Sequence, residues 1–129
     1  MDSGAIRRRL ALGTAVLAAS GLLALASPAS AEAAPAQCAG RKVKVLPFAT
    51  GTVQVFKRNG YVCAVTLAGH PGRRTAMSVS VQARGNRPVV DSGQFTLRAG
   101  PVTVHAGHRC VRVRGSVGAQ SIGTGWILC

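Results

Sequence analysis

"TAMSVSVQA", residues 75–83, alternates without a break: Met77, Val79, Val81 and Ala83 fall on one side, Ser78, Ser80 and Gln82 on the other. A period of two marks a strand with one buried and one solvated face. Most of the chain after Cys38 reads the same way. "KVKVL" (42–46), "TVQVF" (52–56), "YVCAVTL" (61–67), "VVDSGQFTL" (89–97), "VTVHA" (102–106), "CVRVR" (110–114) and "GWILC" (125–129) are short, rich in β-branched residues, and parted by turn formers. No window keeps a helical period for three turns. Seven to eight strands at this spacing predict an all-β fold, a small antiparallel sandwich or barrel. Gly93 marks an expected bulge, and "AGP" (99–101) an expected corner.

Two registers follow from the patterning. In the first hairpin a three-residue loop, Arg58-Asn59-Gly60, groups Val53, Val55, Tyr61, Cys63, Val65 and Leu67 on one face. A two-residue Asn59-Gly60 turn would instead put Thr52 and Gln54 on the face of Val65 and Leu67, so the three-residue loop is the expectation. At the other end, placing Cys110 opposite Cys129 sets Val111 against Leu128, Val113 against Trp126 and Arg112 against Ile127. Four cysteines allow three connectivities. This register favours Cys110–Cys129 and leaves Cys38–Cys63 by elimination; the rival pattern joins Cys38 to Cys129 and Cys63 to Cys110.

The first residues read as an address. Arg7, Arg8 and Arg9 precede an apolar run, 10–26, and "ASA" (29–31) offers small residues for signal peptidase. The run falls short of the ~20 residues a spanning helix needs. Residues 1–31 are therefore expected to be a signal peptide, 32–37 a flexible leader, and 38–129 a single all-β domain. Cleavage is placed after Ala31, with "AEA" and "APA" as later alternatives. The mature chain is expected to be secreted, with no transmembrane segment, and retained on a cell wall or spore surface. An even cysteine count in such a chain implies disulfides rather than zinc, and no C-x-x-C pair occurs.

The 129-residue sequence carries a formal charge of +13. From residue 32 onward thirteen Lys or Arg stand against two acids, Glu32 and Asp91. Such a field attracts anionic wall polymer, nucleic acid or anionic lipid. The candidate anion-binding residues are Arg73, Arg74, Arg98, Arg112 and Arg114. Aromatic residues are few, and Tyr61 and Trp126 are expected to pack inward, which leaves no platform for stacking bases. Specific nucleic-acid recognition is not expected.

Catalytic patterns are missing from the sequence. Paired-carboxylate chemistry needs two acids, and residues 38–129 hold only Asp91. Mg²⁺ and Ca²⁺ sites draw on several carboxylates. His70, His105 and His108 are read as loop histidines, not as a metal centre. No G-x-S-x-G elbow occurs, and "GSVG" (115–118) reads as a turn. No phosphate-cradling glycine motif occurs. No catalytic residue, metal site or cofactor is assigned, and the protein is expected to be non-enzymatic.

"YVCAVTLAG" (61–69), "TAMSVSVQARGNRPVVDSGQFTLRAGPV" (75–102) and the closing "CVRVRGSVG" (110–118) with Trp126 and Cys129 resemble the spore-associated protein A family of filamentous actinomycetes. The resemblance covers most of 61–129 and implies a small secreted protein found with spores, without a catalytic motif. Arg98, Arg112 and Arg114 stand where the family tends to be neutral or aromatic. The expected function is that of a basic protein of the cell or spore surface attaching to anionic wall polymers. Its rivals are a cationic antimicrobial or toxin-like effector and a secreted protease inhibitor presenting Arg73 in the loop "AGHPGRR" (68–74).

Overall fold

The computed structural model describes residues 37–129. The segment expected to be a signal peptide and the leader up to residue 36 lie outside the described residues. Eight strands follow in order: β1 (Arg41–Phe48), β2 (Gly51–Arg58), β3 (Tyr61–Ala68), β4 (Thr75–Ala83), β5 (Val89–Phe95), β6 (Arg98–His105), β7 (Val111–Val117) and β8 (Gln120–Gly123). They form two four-stranded antiparallel sheets, ordered β1-β2-β3-β6 and β5-β4-β7-β8. The fold is thus a sandwich. The chain meanders through β1–β3, crosses to lay down the β4–β5 hairpin, returns as β6 beside β3, and crosses again to set β7 beside β4. β5 lies against β6 and β1 against β8 where the two sheets' edges meet.

The alternation of β4 is realised as read: Met77, Val79, Val81 and Ala83 are buried. They meet Val53, Val55, Val62 and Ala64 from the first sheet, with Val111, Val113 and Val117 beside them. This core is built of valine and alanine, and its largest fully buried side chain is Met77. Small side chains let the sheets approach closely. At Gly115 a Cβ would overlap Val53 Cγ2 and Thr66 Oγ1.

The first hairpin corrects the expected register. Asn59 and Gly60 both have positive φ, 50° and 84°, and form a two-residue turn. Arg58 pairs with Tyr61, Val55 with Ala64, and Phe56 with Cys63. Val62, Ala64 and Thr66 therefore face the core, while Tyr61, Cys63, Val65 and Leu67 face outward. Hydrophobicity misleads here because β3 is covered on both sides. Val65 is only 4% exposed, and it lines a hollow with Gln37 and Cys38, which the Cys38–Cys63 bond holds against the outer face. With both faces apolar, turn chemistry decides the register, and Asn-Gly favours the tight turn. Gly60→Ala is expected to destabilise by about 1 kcal/mol or more. A new Cβ would meet nothing nearer than 3.5 Å, so the cost lies in the backbone alone. An unchanged urea midpoint would contradict it.

Three further expectations change. Gly93 sits in unbroken register opposite Met77; the register shifts fall at Lys42/Lys44 and Ala64/Thr66 instead. The "AGP" corner lies within β6, where Gly100 has φ 87° beside the second shift. "GSV" continues β7 to Val117, and the turn comes after it, leading into β8, an unforeseen strand. Residues 125–129 make a single bridge rather than a strand: Val111 pairs with Ile127, one residue off the expected partner. Leu128 takes a positive φ of 57° and absorbs that slip, so that Cys129 still reaches Cys110. Both disulfides, Cys38–Cys63 and Cys110–Cys129, are formed as expected.

Candidate anion-binding surfaces

Antiparallel partners share a face, so the pairings place the cations of the strands. On the outward face of the second sheet β4 and β7 form a ladder. Its rungs are Ser78–Ser116, Ser80–Arg114 and Gln82–Arg112, and one step further Arg84 N donates to Cys110 O at 3.0 Å. The two serine hydroxyls lie 2.6 Å apart. Cys110, Arg112 and Arg114 thus share one side of β7, with Val111 and Val113 buried on the other.

Trp126 is on this outward face, contrary to the inward packing expected. The one-residue slip at Val111–Ile127 reverses its side. Its ring centroid lies 4.3 Å from the Arg112 guanidinium carbon and 5.3 Å from that of Arg84. The Cys110–Cys129 bond and the backbone pairing of Val111 with Ile127 tie the tryptophan's segment down. Arg114 leans over Gly123 of β8, which has no side chain to obstruct it.

The remaining candidates are elsewhere. Arg98 pairs with Leu67 on the outer face of the first sheet. With Lys42 it rims the hollow floored by Phe56, Val65 and Leu67. Arg73 and Arg74 lie in the exposed β3–β4 loop, which is pinned by Gly69 N to Thr50 O and Gly72 N to Thr96 O, both at 2.8 Å. The five arginines therefore do not converge; only Arg112 and Arg114 stand together.

A further basic group surrounds the Asn59–Gly60 turn and was not anticipated. Arg41, Lys57 and Arg58 line one cleft, and Lys57, His105 and His108 an adjoining one. Tyr61 is 51% exposed rather than buried, and packs edge-on against His105 with centroids 4.8 Å apart. His70 lies away from these two histidines, beside Thr50, Arg73 and Val117. Among the described residues no three His, Cys, Asp or Glu are grouped to hold a metal ion. The missed basic group was legible only as pairs at strand ends, and the hairpin register was needed to unite them.

Asp91 is the one acid in residues 37–129, against thirteen Lys or Arg. It sits opposite core-facing Val79, and its Oδ2 accepts a 2.7 Å hydrogen bond from Gly100 N. That carboxylate serves the bend in β6, not the cations. No helix among the described residues is long and apolar enough to cross a membrane. No protein-family model matches the chain, and no curated protein or solved structure matches it. Fold and surface together define a disulfide-stapled, strongly cationic β-sandwich.

Proposed function

We propose that this is a secreted, non-enzymatic basic protein that attaches to anionic polymers of the cell wall or spore surface, as its resemblance to spore-associated protein A implies. The observation that carries the reading is the charge balance of the folded part. Thirteen Lys or Arg stand against a single acidic side chain, Asp91, and its carboxylate is engaged by a backbone amide. Their counterions must come from outside the chain. Two disulfides support an oxidising, extracytoplasmic destination.

Attachment of this kind is driven by counterion release, so affinity falls steeply with salt. Purified residues 32–129 should sediment with teichoic-acid-bearing walls at 50 mM NaCl and leave them by 200 mM. About six phosphate contacts imply a loss of roughly three orders of magnitude over that range. Retention at 1 M NaCl would sink the reading, as would failure to bind walls at low salt. Leakage from anionic vesicles at the same protein concentration would favour the antimicrobial alternative.

One observation favours a second reading, protease inhibition: Arg73 is exposed on a loop pinned on both sides. However, Gly72 before it has φ 110°, whereas a substrate-like segment is extended. Stoichiometric titration of trypsin decides, with Arg73→Ala as the control.

A further inference from the structure

The basic regions differ in kind: those around Asn59–Gly60 and Arg98 are rims of hollows, whereas the outward face of β4 and β7 is a line. Along β7, Arg112 and Arg114 are two residues apart, and hence about 6.7 Å in strand rise. Arg84 extends the line beyond Gln82 at the end of β4. The neighbouring outward side chains are Ser78, Ser80, Gln82, Ser92, Gln94, Ser116 and Ser121, hydroxyls and amides, with Ala76 and the exposed Val90 on the same face. No Asp or Glu side chain among the described residues shares this face, because Asp91 is in phase with buried Val79.

Trp126 gives the line its order. A ring near two guanidiniums offsets their mutual repulsion and restricts the side chains before any ligand arrives. The guanidinium fork then meets an anion with two donors in a fixed plane. The same contacts occupy the ring and make it a poor platform for a nucleic-acid base.

The ligand that fits has anions at a short regular repeat, hydroxylated linkers and no bases. It must also follow the twist of paired strands, which rotate by roughly 20–25° from one to the next. A 1,3-linked glycerol phosphate chain meets each condition. Its successive phosphorus atoms are separated by as many backbone bonds as Cα atoms two residues apart, so the extended repeats agree at about 6.7 Å. A uronic-acid chain carries its charges on stiff rings and follows a twisted face less well.

We infer that the outward face of β4 and β7 is a track for an extended polyol-phosphate chain, with Arg84, Arg112 and Arg114 as its cations and Trp126 as the platform ordering two of them. The inference rests on the wall-polymer reading and names the polymer. The chain has one tryptophan, so its emission reports on this face alone. Titration with 1,3-linked poly(glycerol phosphate) should change Trp126 emission with the same midpoint as binding measured by sedimentation. Arg112→Ser with Arg114→Ser should weaken binding about tenfold and lower the salt slope by about 1.4, two single-strand-type contacts. Lys57→Ser with Arg58→Ser removes the same charge from the other region and should cost threefold at most. Arg112→Lys keeps the charge but loses the fork, and should still cost several-fold.

Equal losses from the two serine pairs would overturn the track and leave attachment by net charge. Unchanged emission at saturation would do the same, as would equal affinity for polygalacturonate of matched charge, or tighter binding of oligothymidylate. If none of these polymers binds at low salt, the wall-polymer reading itself falls.

Discussion

Cys38→Ala with Cys63→Ala, combined with Cys110→Ala and Cys129→Ala, is expected to leave residues 38–129 unfolded in buffer at 37 °C. The core offers little reserve. It is made of valine and alanine with one methionine, and burying a valine contributes only about 1.5–2 kcal/mol. The bonds close loops with sequence separations of 25 and 19, which on the chain-entropy account contribute about 3 kcal/mol each. Together they approach the total stability of a typical small domain, about 5–15 kcal/mol. The two single-bridge variants should differ in character. Losing Cys38–Cys63 releases the segment that shares a hollow with Val65 and exposes the outer face of β3. Losing Cys110–Cys129 frees the segment carrying Trp126 from β7. Its emission should shift toward that of a solvated indole at denaturant concentrations where circular dichroism still reports strands. Coincident transitions by both probes would show that the staple does not govern the tryptophan. A four-alanine variant with an unchanged urea midpoint would mean that the bonds add nothing.

Strand content was legible wherever one face is buried and the other wet, as in β4, where serines alternate with valines. It was less legible in β3, whose two faces are both covered, because the hydrophobic pattern then fits either register. The Asn59-Gly60 dipeptide held the answer, in local turn geometry rather than in patterning. The closing segment went astray differently. The disulfide pairing was correct, but a residue at positive φ, Leu128, lets the cysteines meet while Val111 pairs with Ile127. A one-residue slip reverses every side chain, and it brought Trp126 from the expected core to the arginines. That single reversal is why the sequence pattern marks Arg112 and Arg114 but hides the tryptophan beside Arg112. β8 lacked any apolar run to announce it, for "QSIG" has one large apolar residue.

Gly115→Ala should cost about 3 kcal/mol, the upper end of what overpacking usually does. In an open strand the same change is expected to gain roughly 0.5–1 kcal/mol, because glycine weakens strand interiors. The sign reverses here because the facing sheet leaves no room for a Cβ at this point. Gly115 pairs with Val79 in the middle of β7, and a Cβ would overlap Val53 Cγ2 and Thr66 Oγ1 across the core. Neither neighbour can give way cheaply. Both are fully buried, and Thr66 Oγ1 has no hydrogen-bond partner to exchange. Relief must come from separating the sheets, which loosens the contacts of Val53, Val55, Val79 and Val113 together. Gly125→Ala is the control, since nothing lies within 4 Å of a Cβ there, and it should be neutral within about 0.5 kcal/mol. Val53→Ala removes one of the overlapping methyls, so the double variant with Gly115→Ala should lose less than the two single losses combined. A coupling of about 1 kcal/mol or more is expected for residues sharing one space. Additive losses would place the strain elsewhere, and a stable Gly115→Ala protein would mean the sheets do not approach as closely at this point. The glycine is thus where the small core meets its geometric limit. Larger core side chains would hold the sheets further apart, and this sequence places valine, alanine and one glycine there instead.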